Sequence, residues 1–113
     1  MQNQKITGFH AHIYFDTATR SSADVLRNAL IAELGDRVHV SRLVDHPIGP
    51  HPTPMFEVDF EMGSFAEVVP WLMLHHAGHS VLIHPITGDE IKDHFEHPLW
   101  LGEKLALDRS ALL

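Results

Sequence analysis

Six patterned segments follow one another in this chain in the order strand, helix, strand, strand, helix, strand, an order that few small architectures accept. Ile6 to Phe15 alternates with period two, placing Phe9, Ala11, Ile13 and Phe15 on one side and His10, His12 and Tyr14 on the other. Ser22 offers a helix cap, and Val25, Leu26, Ala29, Leu30 and Leu34 then recur at helical spacing as far as Gly35. Arg37 to Val44 alternates again, setting Val38 and Val40 against His39 and Ser41. The prolines of Asp45-His46-Pro47-Ile48-Gly49-Pro50-His51-Pro52 then impose a stiff loop. Pro54 to Met62 reads as the third strand, with Phe56, Val58 and Phe60 opposite Met55, Glu57, Asp59 and Glu61. Ser64 and Glu67 have capping-box spacing ahead of a helix that turns Phe65, Val68, Val69, Leu72 and Met73 inward, bent or delayed by Pro70 and stopped by Gly78. Ser80 to His84 completes the series.

The expected fold is therefore α+β and ferredoxin-like, βαββαβ: a four-stranded antiparallel sheet with two helices on one face. With 113 residues the chain has length for one domain, residues 1–113. Residues 1–5 and 103–113 are expected as flexible or partner-contacting ends, the latter with helical potential. A short helix is expected over Asp89 to Glu96, after which Leu99-Trp100-Leu101-Gly102 docks. In this topology the second sheet face is left bare, and small domains commonly bury such a face against another copy or a ligand. A homodimer is the expectation.

That second face gathers an unusual residue type. The chain holds 11 histidines and no cysteine, so disulfides, zinc–thiolate sites, iron–sulfur clusters and cysteine nucleophiles are excluded. Any metal has to rest on imidazole and carboxylate. A formal net charge of −7 argues against a nucleic-acid partner. No basic-then-apolar leader opens the sequence, which gives the cytoplasm as the expected location. Val68 to Gly88 lacks Asp, Glu, Lys and Arg but is interrupted by Pro70, Gly78 and Pro85, so it is no membrane-spanning helix and no membrane partner is expected. Nucleophile elbows, phosphate-binding glycine loops and Walker motifs are missing from it.

Strand parity places His10, His12, Tyr14, Glu57, Asp59 and His39 on the bare face. His84 joins them if it alternates with Val81 and Ile83. In a ferredoxin-like sheet the first and third strands are neighbours, so His10 or His12 can face Glu57 across one ladder spacing. Two or three neutral imidazoles and one carboxylate suit a divalent first-row metal such as Fe(II) and leave positions open for reactants. Geometry thus nominates His10, His12 and His84 as ligands, with Glu57 as the carboxylate and His51 in reserve. His-x-His on a strand is also the pattern of an ordinary polar face, and on that spacing alone the ordinary face is the better reading. His51, fixed between prolines, and His94 and His97, three apart on one side of the short helix, are in isolation surface histidines. His75, His76 and His79 fit a helix C-terminus and are assigned no chemistry. Trp71, Trp100, Phe65 and Phe95 read as packing residues.

Four segments in order carry a resemblance: Phe9-His10-Ala11-His12-Ile13-Tyr14-Phe15; Ile48-Gly49-Pro50-His51-Pro52 leading to Met55-Phe56-Glu57-Val58; Val81-Leu82-Ile83-His84-Pro85-Ile86-Thr87-Gly88-Asp89; and Asp93-His94 with His97-Pro98-Leu99-Trp100-Leu101-Gly102. On these the chain resembles the DOPA 4,5-dioxygenase family, the fungal pigment type with small bacterial relatives. The resemblance implies a non-haem Fe(II) extradiol dioxygenase that opens a catechol ring with dioxygen and yields a semialdehyde. Zinc or nickel is expected to substitute for iron in crystals, because such ligands hold them more tightly. Under this reading His51, His94 and His97 are the catalytic candidates, with His51 or His94 taking the hydroxyl proton. Two other functions fit the same residues: a non-catalytic domain that binds an aromatic ligand or a metal, and a metal-free isomerase using His and Glu as acid and base.

Overall fold

The computed structural model describes residues 5–113, and residues 1–4, expected as part of a free end, lie outside the described residues. Strands β1 (Gly8–Tyr14), β2 (His39–Val40), β3 (Met55–Phe60), β4 (Val81–Ile86) and β5 (Leu99–Leu101) form one antiparallel sheet in the order β2-β3-β1-β4-β5. The first four keep the ferredoxin-like order, and the docking segment adds a fifth strand beside β4. Regular pairing in β2 is confined to two residues, where alternation predicts a strand from Arg37 to Val44; Val44 makes only an isolated bridge to Met55.

One sheet face is apolar and covered by α1 (Arg20–Leu34) and α2 (Phe65–His75). Phe9, Ala11 and Ile13 of β1 stand beside Phe60, Val58 and Phe56 of β3 and beside Pro85, Ile83 and Val81 of β4. Helix α1 buries Ala23, Leu26, Leu30 and Leu34 against them, a spacing of three and four residues that puts all four on one stripe. Gly35 closes the helix with φ 55, a conformation that a side chain disfavours.

Two expected caps are not formed. Helix α1 starts before Ser22, after a turn in which the Thr19 N–H donates to Asp16 Oδ1 at 2.9 Å. The Ser22 hydroxyl instead donates to His79 Nε2 at 2.9 Å. Ser64 makes no side-chain cap on α2, since it closes a 3-10 turn with helical backbone angles, and Glu67 pairs with Arg37 at 2.8 Å. Helix α2 runs through Pro70 to His75.

Part of the face expected to be bare is covered by the chain itself. A third helix, α3 (Glu90–Phe95), packs on β4 on this side. Its six residues are too few to hold a helix alone, and the Asp89 carboxylate caps it by accepting from the Lys92 N–H at 3.1 Å. Beyond Gly102 the chain runs without regular structure to a 3-10 turn at Arg109–Leu112 rather than forming an α-helix. Leu105 and Leu107 of this segment pack with Trp100 on Tyr14, Met55 and Leu82. The Asp108 N–H donates to the Pro50 carbonyl at 2.8 Å, and a Cβ on Gly49 would lie 2.6 Å from the Ala111 Cβ. The C-terminal segment therefore clamps the proline loop and covers one end of this face, while the His10, Glu57 and Asp59 side chains stay 30%, 31% and 39% exposed. None of the described helices is long and apolar enough to cross a membrane.

Candidate metal centre

Antiparallel register assembles the site in two rows. His39, Asp59, His10 and His84 line up across β2, β3, β1 and β4, and one pleat further along Glu57, His12, Leu82 and Trp100 line up across β3, β1, β4 and β5. His84 thus sits on the polar face, as its alternation with Val81 and Ile83 predicts. Two further imidazoles arrive from outside the sheet. His51 comes from the proline loop and His94 from α3, and their ring centroids lie 4.1 Å from those of His12 and His84 respectively. His12 and His84 are each 3% exposed, His51 7% and His94 9%.

Two of the imidazoles approach within hydrogen-bond distance, His12 Nε2 and His84 Nε2 at 3.1 Å. His84 Nδ1 donates to the Pro85 carbonyl at 2.9 Å, so in the neutral ring its Nε2 is a bare acceptor. His94 Nδ1 likewise donates to the Glu90 carbonyl at 2.7 Å, which leaves its Nε2 bare in the neutral ring. His51 Nδ1 is 2.7 Å from the Tyr14 hydroxyl. His12 Nδ1 is buried without a hydrogen-bond partner, 3.9 Å from Glu57 Oε1. If the proton between the two Nε2 atoms belongs to His12, its Nδ1 is an orphaned acceptor, a costly state for a buried nitrogen.

A divalent ion resolves that conflict. Two imidazoles bound to one ion at about 2.1 Å stand about 3.0 to 3.4 Å apart, which brackets the observed separation. The His12 proton then moves to Nδ1 and faces the Glu57 carboxylate, the usual outer partner of a metal-bound imidazole. His10, His12 and His84 bring one ligand nitrogen each within 4.8 Å of one another, as do His12, His51 and His94. The residues present fit a divalent metal.

Electrostatics favours the form a metal needs. Burial pushes His51 and His84 down to about 4, with neighbouring imidazoles adding to the effect and the Pro85 carbonyl opposing it at His84. Burial first, and then the surrounding histidines, holds His12 well below its ordinary range. His10 is also lowered by burial, against the opposing charge of Asp59. These four are neutral at pH 7, so each ring keeps one unprotonated nitrogen. Burial raises Glu57 to about 7, and the adjacent Asp59 carboxyl adds to the shift.

The remaining nominated residues separate. Glu57 groups with His10 at 3.6 Å and with Asp59 on the Nδ1 side of His12, so it faces that ring from the edge opposite His84. With His10 and Asp59 it forms a third group whose ligand atoms lie within 4.8 Å of one another, a group that does not include His84. His97 does not share a side with His94, because α3 ends at Phe95. It is exposed and borders an apolar cavity of about 460 Å3 with Ile6, Phe9, Phe65 and Leu99, away from the imidazoles. His39 is exposed at the sheet edge. His79, given no chemistry, is buried and donates from Nδ1 to the Tyr14 carbonyl at 2.9 Å. Sequence reasoning placed Tyr14 on this face without a role; its period-two relation to His10 and His12 was the available signal. A cavity of about 660 Å3, bordered by His10, His84, His94, Asp93, Glu90 and Leu112, opens onto the cluster.

The pattern defining the Dopa 4,5-dioxygenase family matches residues 9–111. An uncharacterized 21.2 kDa protein of Botryotinia fuckeliana is 35% identical, over 90% of this chain and 61% of its own length. A DOPA 4,5-dioxygenase of Amanita muscaria is 31% identical, over 97% of this chain and 51% of its own length. The chain thus spans about half to three fifths of those relatives. A crystal structure of a candidate dioxygenase from Nostoc punctiforme superposes with a TM-score of 0.87 at 49% identity, covering 95% of this chain and 91% of that one.

Proposed function

The chain belongs to the Dopa 4,5-dioxygenase family, and from that premise we propose that it is a non-haem Fe(II) extradiol dioxygenase acting on a catechol. The observation that carries this reading is the 3.1 Å approach of His12 Nε2 to His84 Nε2 inside a ring of buried imidazoles. His10, His12 and His84 would hold the ion, with Glu57 orienting His12 through Nδ1. Bound ferrous iron would acidify the catechol hydroxyls and give dioxygen access to the one-electron chemistry that its reaction with the ring requires.

The chain's own residues supply the rest. His51 and His94 flank the cluster and are placed to take a hydroxyl proton from the substrate and to return one as the ring opens. The C-terminal segment and α3 shield the imidazoles from bulk water, which strengthens every polar interaction inside. The overall change breaks the ring carbon–carbon bond beside the two hydroxyls. One atom of dioxygen ends in the new carboxyl group and the other in the new aldehyde.

Loading the protein with Fe(II) without air, then adding 4-methylcatechol and air, tests this reading. A yellow ring-opened product with one dioxygen consumed per catechol supports it. Tight catechol binding without oxygen uptake would make the chain a binding domain, and turnover undiminished by a chelator would make the chemistry metal-free acid–base catalysis.

A further inference from the structure

We propose that Tyr14 and the Glu90 carbonyl divide the proton work of the site between its two flanking histidines: Tyr14 is a positioning residue that fixes His51 as a donor, and Glu90 fixes His94 as an acceptor. This rests on the reading above both in leaving the ion to His10, His12 and His84 and in the catechol chemistry that the two histidines serve.

The assignment follows from counting hydrogens. The His94 Nδ1 contact is to a carbonyl, which can only accept, so the proton is on Nδ1 and the neutral ring turns a bare Nε2 away from Glu90. His51 faces a hydroxyl instead, and two arrangements fit a 2.7 Å contact. If His51 Nδ1 donated to Tyr14, the single hydroxyl hydrogen would need another acceptor. Tyr14 is 3% exposed, and its hydroxyl makes no other hydrogen bond among the described residues. A buried donor left unpaired is costly. If Tyr14 donates, that cost vanishes and the His51 proton sits on Nε2.

The surroundings favour the same arrangement. In their neutral forms His84 and His94 already direct protons outward to carbonyls, leaving bare Nε2 atoms in the cluster. His12, His51 and His94 bring one nitrogen each within 4.8 Å of one another. An Nε2–H on His51 supplies a donor. The two histidines therefore do opposite work: His94 takes the catechol proton and returns it as the product forms, while the His51 Nε2–H donates a hydrogen bond to the oxygen on which negative charge builds.

Long-range 1H–15N spectra of the metal-free wild-type protein decide the tautomers directly. His51 protonated on Nε2 and His94 on Nδ1 are expected; a wild-type His51 protonated on Nδ1 overturns the proposal. In Tyr14→Phe the His51 proton is expected to redistribute towards Nδ1 while Co(II) affinity stays within about twofold. On 4-methylcatechol kcat should fall about 10- to 100-fold with KM within about twofold, as for a misdirected hydrogen-bond donor to developing charge. His51→Gln should lose a comparable factor, and the double variant should be no slower than His51→Gln alone. Unchanged tautomers and kcat in Tyr14→Phe, or loss of Co(II) by His51→Gln, refute the division of roles. If wild-type protein turns over no catechol, the dioxygenase reading fails while the spectra still decide the tautomers.

Discussion

Replacing His84 by Gln removes one buried imidazole, and the structure fixes how the pH dependence of metal-free stability must change. Burial brings His84 down to about 4 in the folded protein, against an ordinary 6.5 in the unfolded chain. Between those values the unfolded chain binds a proton that the folded one does not, so stability is lost as pH falls. From pH 7.5 to 5.0 the loss attributable to His84 is about 2 kcal/mol. Glu57, raised to about 7, works in the opposite direction over part of this range, but it is present in both proteins and cancels in the comparison. Urea denaturation in the presence of a chelator at pH 7.5, 6.0 and 5.0 should therefore show wild type losing about 2 kcal/mol more than His84→Gln. Parallel pH profiles would mean that His84 takes up its proton freely in the folded state, and the argument for a ready, neutral ligand would fail.

Other expected outcomes follow from particular contacts. His12→Ala should abolish stoichiometric Co(II) binding in equilibrium dialysis, whereas His97→Ala, on an exposed residue bordering a different cavity, should retain it. Gly49→Ala forces a Cβ to within 2.6 Å of the Ala111 Cβ; thermal unfolding should show a loss of about 1 to 3 kcal/mol. An unchanged Tm would mean that the C-terminal clamp is not closed in solution. Asp93→Asn alters a buried carboxylate that accepts from the Thr87 N–H at 2.9 Å and from its hydroxyl at 2.5 Å. Denaturant unfolding should show about 1 to 3 kcal/mol less stability.

Legibility in the sequence tracked the range of the interaction. Alternation in Phe9 to Tyr14 and in Phe56 to Phe60 reflects a strand with one face in the core, so the faces of β1 and β3, and with them the placement of His10, His12 and Glu57, were open to reading. Strand β5 is three residues long, too short for periodicity to separate it from a docking loop. The same weakness let Arg37 to Val44 pass as a full strand, although regular strand pairing holds at His39 and Val40 and Val44 adds only an isolated bridge. His51 and His94 come from a loop and a short helix whose approach to His12 and His84 depends on how both fold back over the sheet, which no local pattern encodes. His97 was grouped with His94 by helical spacing, and failed because α3 stops between them. The cover over the polar face was invisible for a related reason: Leu105 and Leu107 alternate for too short a stretch to announce what they bury.

The account depends on imidazoles from separate stretches of the chain sharing one ion. Anomalous diffraction from crystals grown with Fe(II) without air measures this directly. The prediction is a single strong peak about 2.0 to 2.3 Å from the Nε2 atoms of both His12 and His84, with His51 and His97 outside bonding distance. A peak at exposed histidines with none between His12 and His84 would contradict it.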